Sequence, residues 1–351
     1  MHMADALISP AVGGLMWAAT AGLTVYSARK VKEELDDRKV PLMGVLGAFI
    51  FAAQMINFTI PATGSSGHLG GGMILAILLG PYAAFLTMAS ILTVQALFFA
   101  DGGLLALGCN IFNLGFFPCF VAYPFIFRNI VGAGANARRI LTGSMISAIL
   151  ALQMGALGVV LETFFSGISE LPFSTFLLVM QPIHLAIGIV EGMATAAVVT
   201  FVWKARPEVM ELAAAPEPLT RVSLKPVLVG LLAVAFITAG VLSWFASASP
   251  DGLEWSMART SGKEELEAPE HGLHALLAAA QKATAFLPDY GFKEQEQDKV
   301  VPREPAAKVQ EVESWPSVNG GTSVSGIVGA MLTLAMAGLI GFGLRRYQQR
   351  A

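Results

Sequence analysis

Apolar residues in this chain come mostly in blocks of about 16–24, enough to cross ~30 Å of hydrocarbon as a helix. With 55% hydrophobic and only 13% charged residues in a 351-residue chain, against the roughly 25% charged that is usual in soluble domains, the composition is that of a membrane protein. The blocks and their flanks place helices at about 8–27, 41–56, 70–81, 84–99, 104–127, 140–161, 174–203, 226–246 and 324–344. The expected fold is all-α, a polytopic transmembrane helical bundle of about nine helices. Its third and fourth members are the most ambiguous, because Gly80-Pro81-Tyr82 interrupts one long apolar run; a re-entrant pair is the alternative.

Lysine and arginine set the orientation, since their excess marks cytoplasmic loops. Arg29, Lys30, Lys32, Arg38 and Lys39 follow the first helix, and Arg128, Arg138 and Arg139 the fifth. Lys204, Arg206, Arg221 and Lys225 follow the seventh, and Arg345, Arg346 and Arg350 the ninth. These helices end inside, so the amino terminus is expected outside and the carboxyl terminus inside. A secretory signal over residues 1–26 is disfavoured, because Asp5 precedes the apolar stretch and the basic cluster follows it. Met1 is therefore expected to remain, exposed outside.

The net charge of −3 combines both signs and gives no footprint for nucleic acid. Cys109 and Cys119, ten residues apart in one apolar segment, suit neither a disulfide framework nor a paired zinc motif. The expected domains are 1–205, a transmembrane helical region; 206–225, a cytoplasmic linker; and 226–351, two helices enclosing an extracytoplasmic insert at 247–323. Within that insert, 271–287 reads as an amphipathic helix carrying Leu273, Leu276, Leu277 and Ala280, and 293–322 as a linker with little capacity to bury a core. Partial mobility is expected there.

Four features place unusual polar groups near the outer face or within the bundle. The first is Met1-His2-Met3. A free α-amine, the next amide nitrogen and the His2 imidazole can close successive five- and six-membered chelate rings, a planar nitrogen set that favours nickel(II) or copper(II) over zinc. The bland alternative is an accident of the start site or a cloning remnant. The second is His68, in a loop with glycines at 64, 67, 70, 71 and 72; on the same side as Met1, it is the candidate fourth nitrogen, its alternative being a solvated loop histidine. The third is Gln95, Asn110 and Asn113, which either orient the ligands from behind or hydrogen-bond between helices. The fourth is His184 and Glu191, seven residues apart and so on one face of the seventh helix. At ~15 and ~25 Å from its outer end they are expected to lie too deep to join His2, in a coupling role or as a buried structural pair. His271 and His274, three apart in the insert, read as solvated in preference to metal-collecting.

No nucleotide-binding Gly-x-x-x-x-Gly-Lys-Ser/Thr occurs, the nearest approach being Gly262-Lys263-Glu264, and neither His-Glu-x-x-His nor Gly-x-Ser-x-Gly is present. ATP hydrolysis by this chain, or hydrolase chemistry in the membrane, has little to stand on.

Five ordered motifs carry a resemblance. They are Met1-His2-Met3-Ala4-Asp5, Gly67-His68-Leu69-Gly70-Gly71-Gly72, the stretch from Gln95 to Gly103, Leu107-Gly108-Cys109-Asn110-Ile111-Phe112-Asn113, and the stretch from His184 to Gly192. Together, over about 1–205, they resemble the CbiM/NikM substrate-capture components of energy-coupling-factor transporters. The remainder, with Pro250-Asp251-Gly252-Leu253-Glu254, is similar to the small NikN-type auxiliary subunit of nickel systems. The resemblance implies a multi-pass protein of the inner cell membrane. It implies metal held by the Met1 amine, nitrogens of His2 and the imidazole of His68. It further implies a transmembrane coupling subunit and two cytoplasmic ATPases as partners, with no organic cofactor. Nickel(II) is the expected substrate, with cobalt(II) for cobalamin biosynthesis the alternative and an intramembrane enzyme using His184 and Glu191 a remote one. After Asp5, Ala6-Leu7-Ile8 departs from the Gly-Phe-Leu-type sequence common in the family, which leaves the ligands intact and bears on metal preference.

Overall fold

The computed structural model describes residues 2–34, 39–132, 134–210, 224–293 and 315–348. Met1, Arg38, Arg221, Arg350, most of the 206–225 linker and the stretch 294–314 lie outside the described residues. The chain folds as a helical bundle of α1 (Pro10–Glu34), α2 (Lys39–Gln54), α3 (Gly72–Leu79), α4 (Pro81–Phe99), α5 (Leu107–Val131), α6 (Ala137–Ser166), α7 (Phe173–Ala205), α8 (Lys225–Gly240), α9 (Gly252–Ser261), α10 (Gly272–Thr284) and α11 (Gly320–Gln348). A hairpin of β1 (Phe58–Ile60) and β2 (Ser65–Gly67) pairs Phe58 with Gly67 and Ile60 with Ser65. Five helices among the described residues, α4, α5, α6, α7 and α11, are long and apolar enough to cross a membrane, and α2 and α8 are shorter apolar helices. Leu15, Leu178, Phe201 and Val229 stand exposed on the outside of α1, α7 and α8, the arrangement expected where the surrounding solvent is lipid.

The segment expected as a helix over 70–81 shortens to the eight residues of α3, about 12 Å long and unable by itself to cross ~30 Å. Positive φ at Gly71 (+77°) and Gly80 (+81°) ends the helix at both sides, a backbone state that glycine adopts without steric cost. Gly70 and Gly71, which lead into α3, are irregular chain buried in protein, the setting in which non-helical backbone is tolerated within a membrane. Within α5, Pro118 and Pro124 coincide with the wider π winding over Phe112–Phe127, where the missing proline N–H is accommodated by a changed hydrogen-bond ladder.

Helix α11 packs tightly on α2. A β-carbon at Gly329 would sit 2.0 Å from the Phe51 ring, and one at Gly44 would sit 3.0 Å from the Leu334 carbonyl. Small residues let two helix backbones approach where lipid offers no hydrophobic drive between them. The carboxyl-terminal helices are thus built into the bundle. The insert also docks: α10 meets the bundle through His274, Leu277 and Gln281, while Leu276 and Leu273 are 66% and 40% exposed. That face differs from the leucine face expected from periodicity, because polar side chains anchor the helix. Gln281 Nε2 donates to the carbonyls of Ala96 and Gly102, and His274 Nε2 donates to the Ile8 carbonyl at 2.9 Å.

Candidate metal site

The amino-terminal segment is threaded along the turn between α4 and α5. Met3 N donates to Asn110 Oδ1 at 2.8 Å, and its carbonyl accepts from Asn110 Nδ2 at 3.2 Å and from the Gly103 amide at 2.9 Å. Asp5 Oδ1 accepts the Ala106 amide at 2.9 Å. A β-carbon at Gly103 would fall 1.8 Å from Asp5 Oδ1, so only glycine permits this close passage. With Met3 fully buried, the neighbouring His2 is held at the base of a cleft of about 680 Å³ that also carries Asp5, His68, Asp101, Asp251 and Glu254.

His68 arrives from the other side on the glycine-rich loop. Gly70 and Gly71 donate their amides to Glu191 Oε2 and Oε1, both at 3.0 Å, and Gln54 Nε2 donates to the Gly70 carbonyl at 2.9 Å. Gln95 Nε2 in turn donates to Gln54 Oε1 at 2.8 Å. The result is that the His2 and His68 rings lie nearly parallel, 14° apart, with centroids separated by 5.1 Å. His68 Nδ1 donates to the Leu69 carbonyl at 3.1 Å, which makes Nε2 the acceptor atom of that ring. His2 Nδ1 lies 3.3 Å from Asp101 Oδ1, and the second oxygen of Asp101 accepts from the Tyr290 hydroxyl.

Burial favours the neutral imidazole in both rings. It lowers the His68 pKa to about 3, and it lowers that of His2 against the opposing pull of Asp101. Neutral imidazole is the form that ligates a metal. Among the described residues no three histidine, cysteine, aspartate or glutamate side chains converge as a metal cluster, and the two imidazoles stand as a pair. The expected donor Met1 lies outside the described residues.

Each remaining candidate has a definite place. Asn110 clamps Met3, Gln95 acts through Gln54, and Asn113 Nδ2 donates to Glu162 Oε2 at 2.7 Å. His184 lies closer to the histidine pair than its depth along α7 suggests: with His68 and Asp251 it lines a water-sized cavity of about 10 Å³. The loop descends to it. His184 Nδ1 donates to the Met180 carbonyl at 2.8 Å, and Glu191 is engaged by the two glycine amides, so the pair is not arranged as an acid and base facing a substrate. His271 is exposed and His274 buried on Ile8, so these two do not act together. Sequence reasoning missed Gln54, Asp101, Glu162 and Asp251 as site residues; Gln54 and Glu162, polar groups within or at the edge of apolar blocks, carried a local signal, and Asp101 and Asp251 stood in motifs with no role assigned to them.

Residues 2–209 match the CbiM family, described as the cobalt uptake substrate-specific transmembrane region, and residues 225–346 match the PDGLE domain. A putative fused nickel transport protein NikMN of Archaeoglobus fulgidus is 33% identical over the full length of both chains. The fused nickel transport protein NikMN of Rhodobacter capsulatus is 31% identical, covering 83% of this chain and 88% of that one. A cobalt transport protein CbiM of Geobacter sulfurreducens is 29% identical over 60% of this chain and 61% of its own. Among solved structures, a truncated transition metal transporter is similar with a TM-score of 0.52 and 32% identity, over 58% of this chain and 99% of that one.

Proposed function

The chain belongs to the CbiM family of cobalt-uptake substrate-specific transmembrane proteins, joined to a PDGLE domain, and from that premise we propose that it captures nickel(II) at the outer face of the inner cell membrane for ATP-driven uptake. It is a nickel/cobalt transport component and not an enzyme. The ligands in this reading are the Met1 amine, the His2 amide and imidazole nitrogens, and His68. Gln95, Asn110, Asn113, His184 and Glu191 hold the surrounding chain. A transmembrane coupling subunit and two cytoplasmic ATPases supply the energy, since this sequence carries no nucleotide-binding motif of its own.

The observation that carries the reading is the approach of His2 and His68, two imidazoles kept neutral by burial and 66 positions apart in the chain. Nickel is preferred to cobalt because a planar set of nitrogens suits it and because relatives with the same fused arrangement are named as nickel transport proteins. Cobalt is the second reading, favoured by the description of the CbiM match itself. The test is equilibrium binding of nickel and cobalt, separately and in competition, to full-length protein beginning at Met1, beside His2→Ala and His68→Ala. One ion per chain, lost in both variants, is expected. Undiminished binding in either variant refutes this ligand set. A residue added before Met1 should abolish binding by displacing the amine.

A further inference from the structure

The PDGLE region reaches the histidine pair through one carboxylate. Asp251 Oδ2 lies 3.8 Å from His68 Nε2, and the two side chains are 16% and 9% exposed. The other oxygen, Oδ1, caps α9, accepting the amides of Leu253 at 2.7 Å and Glu254 at 2.9 Å, while Glu254 Oε2 accepts the Asp251 amide at 2.9 Å. This reciprocal capping box fixes the carboxylate and orients it.

The turn bearing Asp251 is itself fastened to the loop bearing His68. Ser66 donates its amide to the Pro250 carbonyl at 2.8 Å and its hydroxyl to the Ser249 carbonyl at 2.7 Å. Trp255 Nε1 donates to the Thr63 carbonyl at 3.0 Å. Gly252 seats the turn on α7: a β-carbon there would lie 2.8 Å from Ile187 Cδ1 and 3.1 Å from the His184 ring. A separation of 3.8 Å is too long for a hydrogen bond. It is short enough for the carboxylate to act on a cation at Nε2, directly or through one water.

We propose that Asp251 is the residue through which the PDGLE region serves metal capture, its carboxylate standing beside His68 and stabilising the bound dication from outside the nitrogen ligand set. This rests on the ligand assignment above and adds to it a contribution from the second region of the same chain. A divalent ion taken from water into a buried site loses hydration that nitrogen donors replace only in part. An anionic group held beside the ion offsets that loss, and carboxylates beside metal-ligating histidines commonly have this effect. Asp101 already shares its second oxygen with Tyr290, and it stands beside His2. Asp251 is the corresponding carboxylate on the His68 side.

The experiment is nickel titration of the full-length chain carrying Asp251→Asn. Asparagine caps a helix as well as aspartate does, so the turn persists while the charge is removed. Affinity is expected to fall by about 10–100-fold, the usual effect of removing such a partner, with one ion per chain retained. Glu267→Gln, which removes an exposed charge from the same region and leaves the docked turn intact, is expected to bind as the wild type does. Wild-type affinity in Asp251→Asn overturns the proposal, as does equal weakening in both variants, which would assign the effect to the overall charge of the region. His68→Ala run alongside keeps the two readings apart. Binding lost there but unchanged in Asp251→Asn overturns only the role of Asp251, whereas unaltered binding in His68→Ala overturns the ligand set and this role with it.

Discussion

Glu191 accepts the Gly71 amide at 3.0 Å on one carboxylate oxygen and the Gly70 amide at 3.0 Å on the other. Glu191 stands 18 residues beyond the start of α7 at Phe173, about 27 Å along its axis, so the loop that carries His68 is pinned from deep inside the bundle. Backbone amides in such a place have no water to turn to, and each left unpaired costs about 1–3 kcal/mol. Glu191→Ala orphans both, and Glu191→Gln keeps one acceptor oxygen while turning an NH2 group toward the second amide. Thermal unfolding in detergent should therefore rank the wild type above Glu191→Gln and both above Glu191→Ala. Nickel affinity should fall in the same order although no ligand is altered. An Ala variant that melts with the wild type would remove this anchor from the account.

Asn110 does for His2 what Glu191 does for His68. Its amide closes a two-bond clamp on Met3, one residue from the proposed chelate. Asn110→Leu keeps the volume and deletes both bonds, and its nickel affinity is expected to drop about 10–100-fold, measured by equilibrium titration with stoichiometry retained.

Gly103→Ala attacks the same segment through space alone, since the new methyl group would collide with Asp5 Oδ1 and the Asp5 amide. Loss of nickel binding in folded protein is expected, because the amino-terminal segment can no longer lie along its turn. Gly14→Ala, where a β-carbon meets nothing within 4 Å, should bind normally and stabilise α1 by up to about 1 kcal/mol. Equal binding in the two variants would show that the close passage at Gly103 is dispensable.

Long apolar blocks made the helices legible, because a run of twenty apolar residues has one way to satisfy its backbone in lipid. The boundaries of α3 were not legible, since they depend on left-handed φ at Gly71 and Gly80, and glycine permits that state without requiring it. His2 and His68 stood out by residue type and by motif. Asp101 and Asp251 stood in quoted motifs but showed no role at the site, because a carboxylate in a polar loop gains its neighbours only when the chain folds back on itself, and Asp251 is 183 positions from His68. Depth along α7 separated His184 from the outer face only on the assumption that the glycine loop stays at the surface. The loop instead descends, drawn down by its bonds to Glu191.

Burial of His68 also sets a pH dependence. Its ordinary pKa of 6.5 falls to about 3 in the folded chain, so between those values the unfolded state binds more protons than the folded state, and stability falls as pH is lowered. Above about pH 6.5 both states hold a neutral ring and this group contributes no slope. The metal-free wild type should thus lose stability from about pH 6.5 downward faster than His68→Asn, by at most about 1.4 kcal/mol per pH unit. Parallel unfolding profiles for the two proteins between pH 6.5 and 5 would contradict a buried, neutral His68. The same burial bears on capture. A ring already neutral at pH 7 releases no proton to the metal, so a fall in nickel affinity between about pH 8 and 7 must come from the α-amine, whose ordinary pKa is about 7.7–8.0, and from the amide. Blocking the amine should remove binding, and any binding that His68→Asn retains should keep the wild-type pH profile over that range.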